Sequence, residues 1–316
     1  MRAVLQDRYG TPDLVRVGDR ERPVPGEGQV LIRVKAASLN GSDRENLAGS
    51  PFYARNNGLR RPRHPVPGSD VARIVEEAGA SVTEFAPGDE VFGELAGYRG
   101  GLAEYVATPP KLLSRKPSEL TFAEAAALPQ AGCIALRATA GVQAGERVLV
   151  NGAGGAGGSL AIGFAKHFGA EVIAADRGDK ADYLRSLGAD ETIDFATRDW
   201  AAGRAEYDRV IDLIGHRSPT RVHRALRPGG QYLLVGGHTR ILLATAALGW
   251  ALGRGKQVRV LVVPQSRADL EAVTALVTGG ATKPVIDRVY PLEAAPEAFE
   301  RLAACDNQGK IVIEIP

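Results

Sequence analysis

A cluster of glycines joins an apolar segment to an apolar helix pattern at residues 148–159, which read Val-Leu-Val-Asn-Gly-Ala-Gly-Gly-Ala-Gly-Gly-Ser. Such a turn requires glycine because a Cβ would block the tight bend, the approach of backbone to a ligand, or the packing of helix on strand. Free N–H groups at the start of the helix then face an anion. This segment therefore predicts a strand, a turn and a helix that together bind phosphate.

Two glycine spacings fit this turn. Gly152, Gly154 and Gly157 match G-x-G-x-x-G, whereas Gly152, Gly155 and Gly158 match the shifted spacing G-x-x-G-x-x-G. Both spacings are compatible with a dinucleotide pyrophosphate site. The sequence alone leaves the role of each glycine open.

The residues after the turn continue the pattern of a dinucleotide-binding unit. Residues 160–168 have helical apolar spacing, and residues 171–175 form a second apolar strand that ends at Asp176. This acid follows the glycines by roughly 20 residues, where such sites place a ribose-binding carboxylate. The predicted cofactor-binding residues are Asn151, Gly152, Gly154, Gly155, Ala156, Gly157, Asp176, Arg177 and Lys180. The alternative is a structural strand-helix turn without a ligand.

Two later strand ends also carry glycine, at Gly215 and at the pair Gly236 and Gly237. Open parallel sheets bind ligands at the carboxyl ends of their strands, so we expect these glycines to line the nicotinamide half of the site. The alternative is that they serve turn geometry alone.

The choice of nicotinamide cofactor stays open at this point. Asp176 favours NAD(H), because its carboxylate accepts a hydrogen bond from a ribose hydroxyl and repels a 2′-phosphate. Arg177 and Lys180 favour NADP(H), because cations pair with that phosphate. The sequence predicts NADP(H) or NAD(H).

Composition excludes several classes of protein. The formal net charge of +2 gives the whole chain no broad field that attracts nucleic acid or an anionic membrane. Cys133 and Cys305 are the only cysteines, which excludes a disulfide framework and a four-cysteine zinc lobe. The apolar stretch at 241–252 is shorter than a bilayer span. We expect a cytoplasmic enzyme with a small-molecule substrate and with neither a nucleic-acid nor a membrane partner.

The local patterns predict an α/β chain with two parts, one mainly β and one with alternating strands and helices. Residues 1–118 contain short β-type segments separated by turn residues, typical of a small barrel-like β domain. Residues 119–282 alternate strand and helix patterns, which predicts a doubly wound parallel sheet. Residues 283–316 end in an apolar strand pattern that we expect to return to the β domain. That domain, 1–118 with 283–316, is then discontinuous.

Several segments resemble the medium-chain dehydrogenase/reductase superfamily. The most specific are residues 34–43, 68–72, 88–93 and 101–106, while 124–129, 186–190 and 309–313 resemble its zinc-independent quinone oxidoreductase branch, most of all the reticulon-interacting oxidoreductases. The resemblance covers essentially the whole chain. It implies a GroES-like β-barrel domain that binds substrate and carries catalysis, together with a Rossmann domain.

The resemblance also bears on a metal. Zinc-dependent relatives hold their catalytic ion with a Cys and a His on the segments that match Asn40 and Ser69, and neither ligand type stands there in this chain. No metal is therefore predicted. Without a Lewis acid, reduction of a quinone or of a C=C bond conjugated to a carbonyl is the easier reaction, because hydrogen-bond donors can stabilise the oxyanion.

Asn40 and Tyr53 are the catalytic candidates that the resemblance implies. Asn40 matches a polar residue near nicotinamide and substrate, and Tyr53 lies in a loop where related enoyl reductases can place a proton donor. The alternatives are a turn cap for Asn40 and a packing role for Tyr53. One departure is Ile134, which stands where the family usually has a threonine facing the nicotinamide.

The predicted function is thus hydride transfer from NAD(P)H to a quinone or an α,β-unsaturated carbonyl compound. Ile134 motivates an alternative, a redox-neutral biosynthetic enzyme that uses bound nicotinamide. A further alternative is a cofactor-bound interaction protein without turnover. Residues 257–263 predict an apolar edge strand, and such edges pair across twofold axes, so we expect a homodimer.

Overall fold

Two apolar periodicities organise the chain, and each one builds its own unit. The computed structural model describes residues 1–252 and 255–316. By their internal packing the residues form two compact units. Unit one contains Met1–Cys133, Gln265–Thr278 and Pro284–Pro316, and unit two contains Ile134–Pro264 and Gly279–Lys283.

Strands and helices follow one another along the described residues and are numbered in chain order. The strands are β1 (Arg2–Leu5), β2 (Arg16–Asp19), β3 (Val30–Leu39), β4 (Asp70–Ala78), β5 (Glu90–Glu94), β6 (Tyr105–Thr108), β7 (Leu113–Arg115), β8 (Arg147–Asn151), β9 (Glu171–Asp176), β10 (Glu191–Asp194), β11 (Tyr207–Asp212), β12 (Leu226–Leu234), β13 (Gln257–Val260), β14 (Ile286–Pro291) and β15 (Lys310–Glu314). The α-helices are α1 (Gly41–Ala48), α2 (Phe122–Ala126), α3 (Pro129–Thr139), α4 (Ala156–His167), α5 (Ala181–Ser186), α6 (Pro219–Ala225), α7 (Thr239–Leu252), α8 (Arg267–Thr278) and α9 (Ala295–Ala304). Short 3-10 segments span Pro12–Leu14, Phe52–Asn57, Pro110–Leu112, Gly178–Lys180 and Leu292–Ala294.

Unit one is built on a mainly antiparallel sheet with the neighbour order β14-β15-β3-β4-β5-β7, to which β6 adds by pairing with β3. Only β14 and β15 run parallel among these pairs of described strands. Strand β15 ends the chain beside β3, with Ile311 opposite Leu39. The last strand of the chain thus pairs with a strand of the first β region.

The core of unit one comes from strand residues with period two and from one amphipathic helix. Val34, Val71 and Val91 are buried on adjacent strands, and Phe299 on α9 joins the same cluster. This packing fixes the ends of β3, β4 and β15, which carry the polar residues discussed below.

Unit two is a parallel sheet with the order β10-β9-β8-β11-β12-β13. Counted from β8, the order is that of the Rossmann fold, and it reverses direction between β8 and β11. Its strands are continuous apolar runs, as in sheets covered on both faces, and Leu149, Ile173, Val210 and Leu234 lie in one buried cluster. The predicted doubly wound α/β fold is confirmed, although the edge strand predicted over 257–263 ends at Val260.

The compact units differ from the predicted domains at two segments. Residues 119–133 and 265–278 lie within the predicted dinucleotide-binding domain 119–282 but pack with unit one. The carbonyl oxygen of Ala126 accepts a hydrogen bond from Ser38 Oγ (2.6 Å), and Arg267 pairs with Glu84. Such contacts join segments far apart in the chain, so the local alternation of patterns does not show them. The domain boundaries stay a prediction.

Among the helices of the described residues, none has both the length and the hydropathy needed to cross a lipid bilayer.

Candidate active site

The glycine turn of unit two joins β8 to α4. Gly152 has φ +83°, a left-handed conformation that favours glycine, and a Cβ on Gly158 would lie 2.4 Å from the carbonyl oxygen of Gly152. A Cβ on Gly155 would meet only that same oxygen, at 3.8 Å, and would otherwise extend into open space. Gly152 thus makes the tight turn, Gly155 leaves the helix start open, and Gly158 permits close packing. These roles fit the second of the two predicted spacings.

The other two glycines of the turn have different surroundings. A Cβ on Gly154 would lie 2.7 Å from Lys180 Cδ and 3.0 Å from Asp176 Oδ2, so glycine there makes room for those side chains. A Cβ on Gly157 would make only ordinary contact with Leu213, at 3.8 Å. Ala156 is the first residue of α4, directly after the open position at Gly155.

Asp176 lies at the end of β9, and the structure ties its carboxylate to the glycine turn. Oδ2 accepts the Gly154 N–H (2.7 Å), and Oδ1 accepts the Arg177 N–H (2.8 Å). Lys180 Nζ lies 3.8 Å from Oδ1, and the side chains of both residues are buried. The carboxylate therefore stabilises the shape of the glycine turn, and the buried Lys180 ammonium nearby compensates its negative charge.

Arg177 extends from the same strand end toward solvent. Its guanidinium pairs with Asp179 at 2.7 Å, and its side chain is 41% exposed. An exposed pair of this kind contributes little to stability, so the arginine is a cation that an incoming phosphate can attract.

Asn151 ends β8 and is bound into the neighbouring strand. Its Nδ2 donates to Asp212 Oδ1 (2.8 Å), which also accepts the N–H groups of Ile214 and Gly215. Asp212 Oδ2 accepts the Tyr232 hydroxyl proton (2.9 Å), and burial, then the nearby Asp212 carboxylate, raise the pKa of Tyr232. Asp212 thus joins the ends of β8, β11 and β12, a role that strand patterns alone did not indicate.

The glycines after β11 and β12 divide into two kinds. Gly215 has φ +68°, and a Cβ there would lie 2.3 Å from the Gly236 carbonyl oxygen. Gly237 has φ +121°, and a Cβ there would lie 2.6 Å from the Ile214 carbonyl oxygen. Turn geometry and close backbone packing therefore explain Gly215 and Gly237. A Cβ on Gly236, in contrast, would meet no atom of the described residues within 4 Å, so this position borders open space among them.

In unit one, Asn40 lies where β3 ends and α1 begins. Its backbone N–H donates to Asp43 Oδ2 (2.8 Å), and Asp43 Oδ1 accepts the Gly68 N–H (3.2 Å). Asp43 is almost fully buried, and loss of hydration raises the pKa of its carboxyl to about 7 despite these two hydrogen bonds. The predicted cap at the start of the helix is present, as a capping box between Asn40 and Asp43.

The side chain of Asn40 meets a buried lysine. Lys310 Nζ donates to Asn40 Oδ1 and, at 3.2 Å, to Asp70 Oδ2. Lys310 is 1% exposed and Asp70 is fully buried. In the described part of the chain, Asn40 Nδ2 is buried and has no hydrogen-bond partner. A buried donor without an acceptor is costly, so this amide is a candidate contact for a ligand.

Gln130 extends the same polar cluster. Its backbone N–H donates to Asp70 Oδ2 (3.1 Å), its Nε2 donates to Glu94 Oε1 (2.6 Å), and its Oε1 accepts from Ser42 Oγ (3.0 Å). Burial, with a smaller contribution from Asp70, raises the pKa of Glu94 to about 8. The cluster therefore fixes the surroundings of Lys310 from several chain segments.

The other catalytic candidate, Tyr53, has a different partner. It lies in the 3-10 segment Phe52–Asn57, is 43% exposed, and donates through its hydroxyl to Glu45 Oε2 (3.1 Å). Burial, then the Glu45 charge, raise the pKa of the phenol. Its proton is thus held more tightly than that of an ordinary tyrosine. The catalytic role of Tyr53 stays a prediction.

Sequence analysis missed Lys310, Asp70 and Asp212 as site residues. The one available signal is Lys310 itself, a charged residue that opens the apolar strand Lys-Ile-Val-Ile-Glu-Ile at 310–315. A lysine in such a strand raises the question of its partner, but its partners are 270 and 240 residues away in the chain.

Comparison with known proteins agrees with this fold. The family profile described as alcohol dehydrogenase GroES-like domain matches residues 26–118, and the profile described as zinc-binding dehydrogenase matches residues 187–313. A quinone oxidoreductase structure from Coxiella burnetii covers 100% of this chain and 99% of its own, with a TM-score of 0.90 and 29% identity.

Two plant proteins are similar over almost the whole chain. The 2-methylene-furan-3-one reductase of Solanum lycopersicum is 34% identical over 99% of this chain and 79% of its own length. The quinone-oxidoreductase QR1 of Triphysaria versicolor is 32% identical over 99% and 98%. The chain therefore belongs to the medium-chain dehydrogenase/reductase superfamily, in its quinone oxidoreductase branch.

Proposed function

We propose that this protein is a zinc-independent oxidoreductase that transfers hydride from NAD(P)H to a quinone or to the C=C bond of an α,β-unsaturated carbonyl compound. The observation that carries the proposal is the glycine turn, which leaves open space at Gly155 beside the N-terminus of α4. Similar proteins support the substrate class, because their names include quinone oxidoreductases and an NADPH-dependent alkenal/one oxidoreductase.

The residues of unit two fit a dinucleotide. The first N–H groups of α4 follow Gly155 and have no partner within the helix, so they suit a pyrophosphate. Gly236 borders open space at the end of β12, on the side where Rossmann sheets hold their ligand. Asp176 and Asn151 act indirectly. Asp176 stabilises the glycine turn, and Asn151 stabilises the carboxyl end of β8 through its hydrogen bond to Asp212. Bound nicotinamide supplies the hydride.

NADPH is the favoured form within this proposal. Both Asp176 oxygens accept backbone N–H groups and Lys180 lies near them, so the carboxylate repels a 2′-phosphate less than an uncompensated charge would. Arg177 offers a partly exposed cation at the same strand end. NADH remains the alternative, and a comparison of the two cofactors at this site distinguishes between them.

Zinc does not fit the polar cluster of unit one. Asn40 Oδ1 and Asp70 Oδ2 both accept from the Lys310 ammonium, and a divalent cation at that place would meet a buried positive charge. Among the described residues, His, Cys, Asp and Glu form no group of three that suits a metal. The proposed chemistry therefore relies on hydrogen bonds and on the buried charge.

Asn40 is the proposed catalytic residue. Addition of hydride to an enone or a quinone moves negative charge to the carbonyl oxygen, and the unpartnered Nδ2 is a donor that can bind that oxygen. Solvent can protonate the resulting enolate or phenolate, so no protein acid is obligatory. Tyr53 is kept as a secondary candidate for proton donation.

Assembly and location are also proposals. Strand β13 is the last strand of its sheet, and backbone pairing of two such edges would give a homodimer. Neither Cys133 nor Cys305 forms a disulfide, which suits the cytoplasm. Light scattering at several protein concentrations tests the dimer, and a Val260→Pro variant, placed on this last strand, is expected to dissociate it.

The activity test is a panel of menadione, benzoquinone, methyl vinyl ketone and crotonyl-CoA with NADPH or NADH. We expect loss of reduced-nicotinamide absorbance with at least one quinone or enone. The control is the Gly155→Val variant, whose side chain would enter the open space at the helix start. An inert panel together with measurable dinucleotide binding would contradict the proposal and favour an interaction protein. Product formed without net oxidation of the cofactor would favour the redox-neutral alternative suggested by Ile134.

A further inference from the structure

The buried ammonium of Lys310 joins three neighbouring strands of unit one. Lys310 is the first residue of β15, Asn40 directly follows β3, and Asp70 is the first residue of β4. These strands are adjacent in the sheet, with the order β15-β3-β4. The ammonium thus bonds to one group from each neighbour, at a place where it is 1% exposed.

The chemistry of lysine decides which way the Asn40 amide faces. An ammonium group only donates hydrogen bonds, so it must bond to the oxygen of a carboxamide and not to its nitrogen. Lys310 takes Oδ1 of Asn40, and this leaves Nδ2 directed away from the lysine. In the part of the chain that the structure describes, that nitrogen is buried without a partner. A fixed and unused donor is what an incoming carbonyl oxygen requires.

The same contact changes the strength of the donor. A positive charge beside the amide oxygen draws electron density from the nitrogen, and hydrogen bonds in a chain polarise one another in this way. Asp70 balances the charge and is itself held by the Gln130 N–H (3.1 Å) and by the more distant hydroxyl of Ser69 (3.4 Å). These contacts fix the position of the ammonium group and balance its charge within the protein. The ammonium itself therefore need not contact the substrate.

We propose that Lys310 is a positioning residue of the reductase: it orients and polarises the Asn40 carboxamide so that Nδ2 donates to the oxygen that gains negative charge. This role rests on the function proposed above. It is distinct from a purely structural role, in which the ammonium only compensates the buried Asp70. A structural role predicts lower stability after substitution, but it does not predict that the effect on turnover depends on Asn40.

The test is a double-mutant cycle with Lys310→Met, Asn40→Ala and the double variant, assayed with menadione and methyl vinyl ketone. We expect Lys310→Met to lower kcat by about thirtyfold, less than the effect of removing an oxyanion donor outright. Dinucleotide affinity is expected to stay unchanged. In the Asn40→Ala background, we expect the same lysine substitution to change kcat by less than about threefold, because residues that act as a unit are not additive.

A second readout does not depend on activity. The side-chain amide signals of Asn40 in a ¹⁵N NMR spectrum are assigned by their loss in Asn40→Ala. We expect Lys310→Met to shift these signals and Lys310→Arg, which keeps the charge and donors, to leave them near the wild-type position and to restore most of kcat. If Lys310→Met does not fold, Lys310→Gln serves in its place, because it keeps a donor and removes the charge.

Arg73 provides the matched control. It is another fully buried cation and feels the charge of Asp70, but none of its guanidinium nitrogen atoms has a hydrogen-bond partner among the described residues. Arg73→Met is expected to leave both kcat and the Asn40 signals unchanged. Additive effects of Lys310 and Asn40 on kcat, or Asn40 signals that do not respond to Lys310→Met, would overturn the proposal. If no variant and no wild-type sample turns over, the reductase function fails, while the NMR result still decides whether Lys310 orients Asn40.

Discussion

Unit two and unit one place their polar groups in opposite ways. At the glycine turn of unit two, the carboxylate of Asp176 accepts hydrogen bonds from backbone N–H groups. The space for a ligand lies beside Gly155. In unit one, Lys310, Asp70 and Asn40 are buried side chains, and the Asn40 amide nitrogen has no hydrogen-bond partner within residues 1–252 and 255–316. The first region is shaped mainly by backbone, and the second by side-chain charge.

Because of this difference, the two regions suit different kinds of interaction with a ligand. A backbone turn with helix N–H groups binds an anion through shape and dipoles, and it needs no titratable side chain at the contact. A reaction that creates charge on an oxygen needs an aimed donor in a dry place, because such a donor is stronger there than in water. The two regions therefore suit binding and chemistry respectively.

The largest expected effect tests the open space in unit two. Gly155→Val places a branched side chain where the structure has only one atom within 4 Å of a Cβ, so the fold is kept and the ligand is excluded. We expect dinucleotide affinity to fall by about a thousandfold, or about 4 kcal/mol. Fluorescence titration with NADPH measures it.

Gly28→Val is the matched control for that substitution, because a Cβ on Gly28 also meets nothing within 4 Å but lies in an exposed turn of unit one. Its dinucleotide affinity is expected to equal that of the wild type. Normal binding by Gly155→Val would show that the turn is structural only.

The next effect tests the donor in unit one. Asn40→Ala removes the buried Nδ2 but keeps the backbone N–H that bonds to Asp43. We expect kcat with a quinone or enone to fall by about a hundredfold, or about 3 kcal/mol, with dinucleotide affinity unchanged. Steady-state kinetics and the titration above measure both. A variant that keeps full kcat would remove the contrast between the two regions.

Asp43 gives a pH-dependent effect that belongs to unit one. Burial raises the pKa of its carboxyl from 3.8 to about 7, so the folded protein binds more protons than the unfolded chain between these values. Stability from this group is therefore highest below about pH 4 and falls as pH rises to about 7. We expect Asp43→Asn to flatten most of this fall, because the substituted side chain does not titrate.

Urea unfolding of wild type and Asp43→Asn at several pH values measures this effect. Glu94, whose pKa is also raised by burial, contributes a fall of the same sign in both proteins and serves as the background. Parallel pH profiles for the two proteins would contradict the assignment to Asp43.

A smaller effect compares two buried arginines. The guanidinium of Arg73 in unit one has no hydrogen-bond partner among the described residues, and burial lowers its pKa to about 9. Arg209 in unit two instead donates to the carbonyl oxygens of Ala138 and Ala140. We expect Arg73→Met to stabilise the protein by about 1 to 2 kcal/mol and Arg209→Met to destabilise it. Chemical denaturation gives both values, and equal losses in the two variants would be the contrary result.

The smallest effect concerns the choice of cofactor in unit two. Arg177→Ala removes a partly exposed cation, and we expect KM for NADPH to rise about tenfold, or about 1.4 kcal/mol, with KM for NADH unchanged. Arg185→Ala, which removes an exposed cation on α5, is the matched control. Equal changes for the two cofactors would favour NADH as the natural form.

The parts that sequence analysis predicted are those that depend on neighbours in the chain. The turn at Gly152, the strand that ends at Asp176 and the alternation of strands and helices are local patterns, and the structure contains each of them. The two glycine spacings were left open because glycine carries no side chain to distinguish them. Packing distances around Gly155 and Gly158 favour the second spacing.

The parts that sequence analysis missed depend on residues far apart. Lys310 meets Asn40 across 270 residues and Asp70 across 240, and Gln130 meets Asp70 across 60. Asp212 joins three strands, and no local pattern around it indicates that role. No spacing rule connects such positions, because antiparallel and crossover strand order is decided by the whole sheet.

Local sequence patterns establish the class of fold and the place of the dinucleotide turn, because periodic apolar residues and glycine conformations act over a few residues. The tertiary structure alone decided which side chains share the polar cluster of unit one. The strand order β15-β3-β4 brings Lys310, Asn40 and Asp70 into contact, and their common burial turns three ordinary polar residues into an aimed donor with a fixed charge behind it.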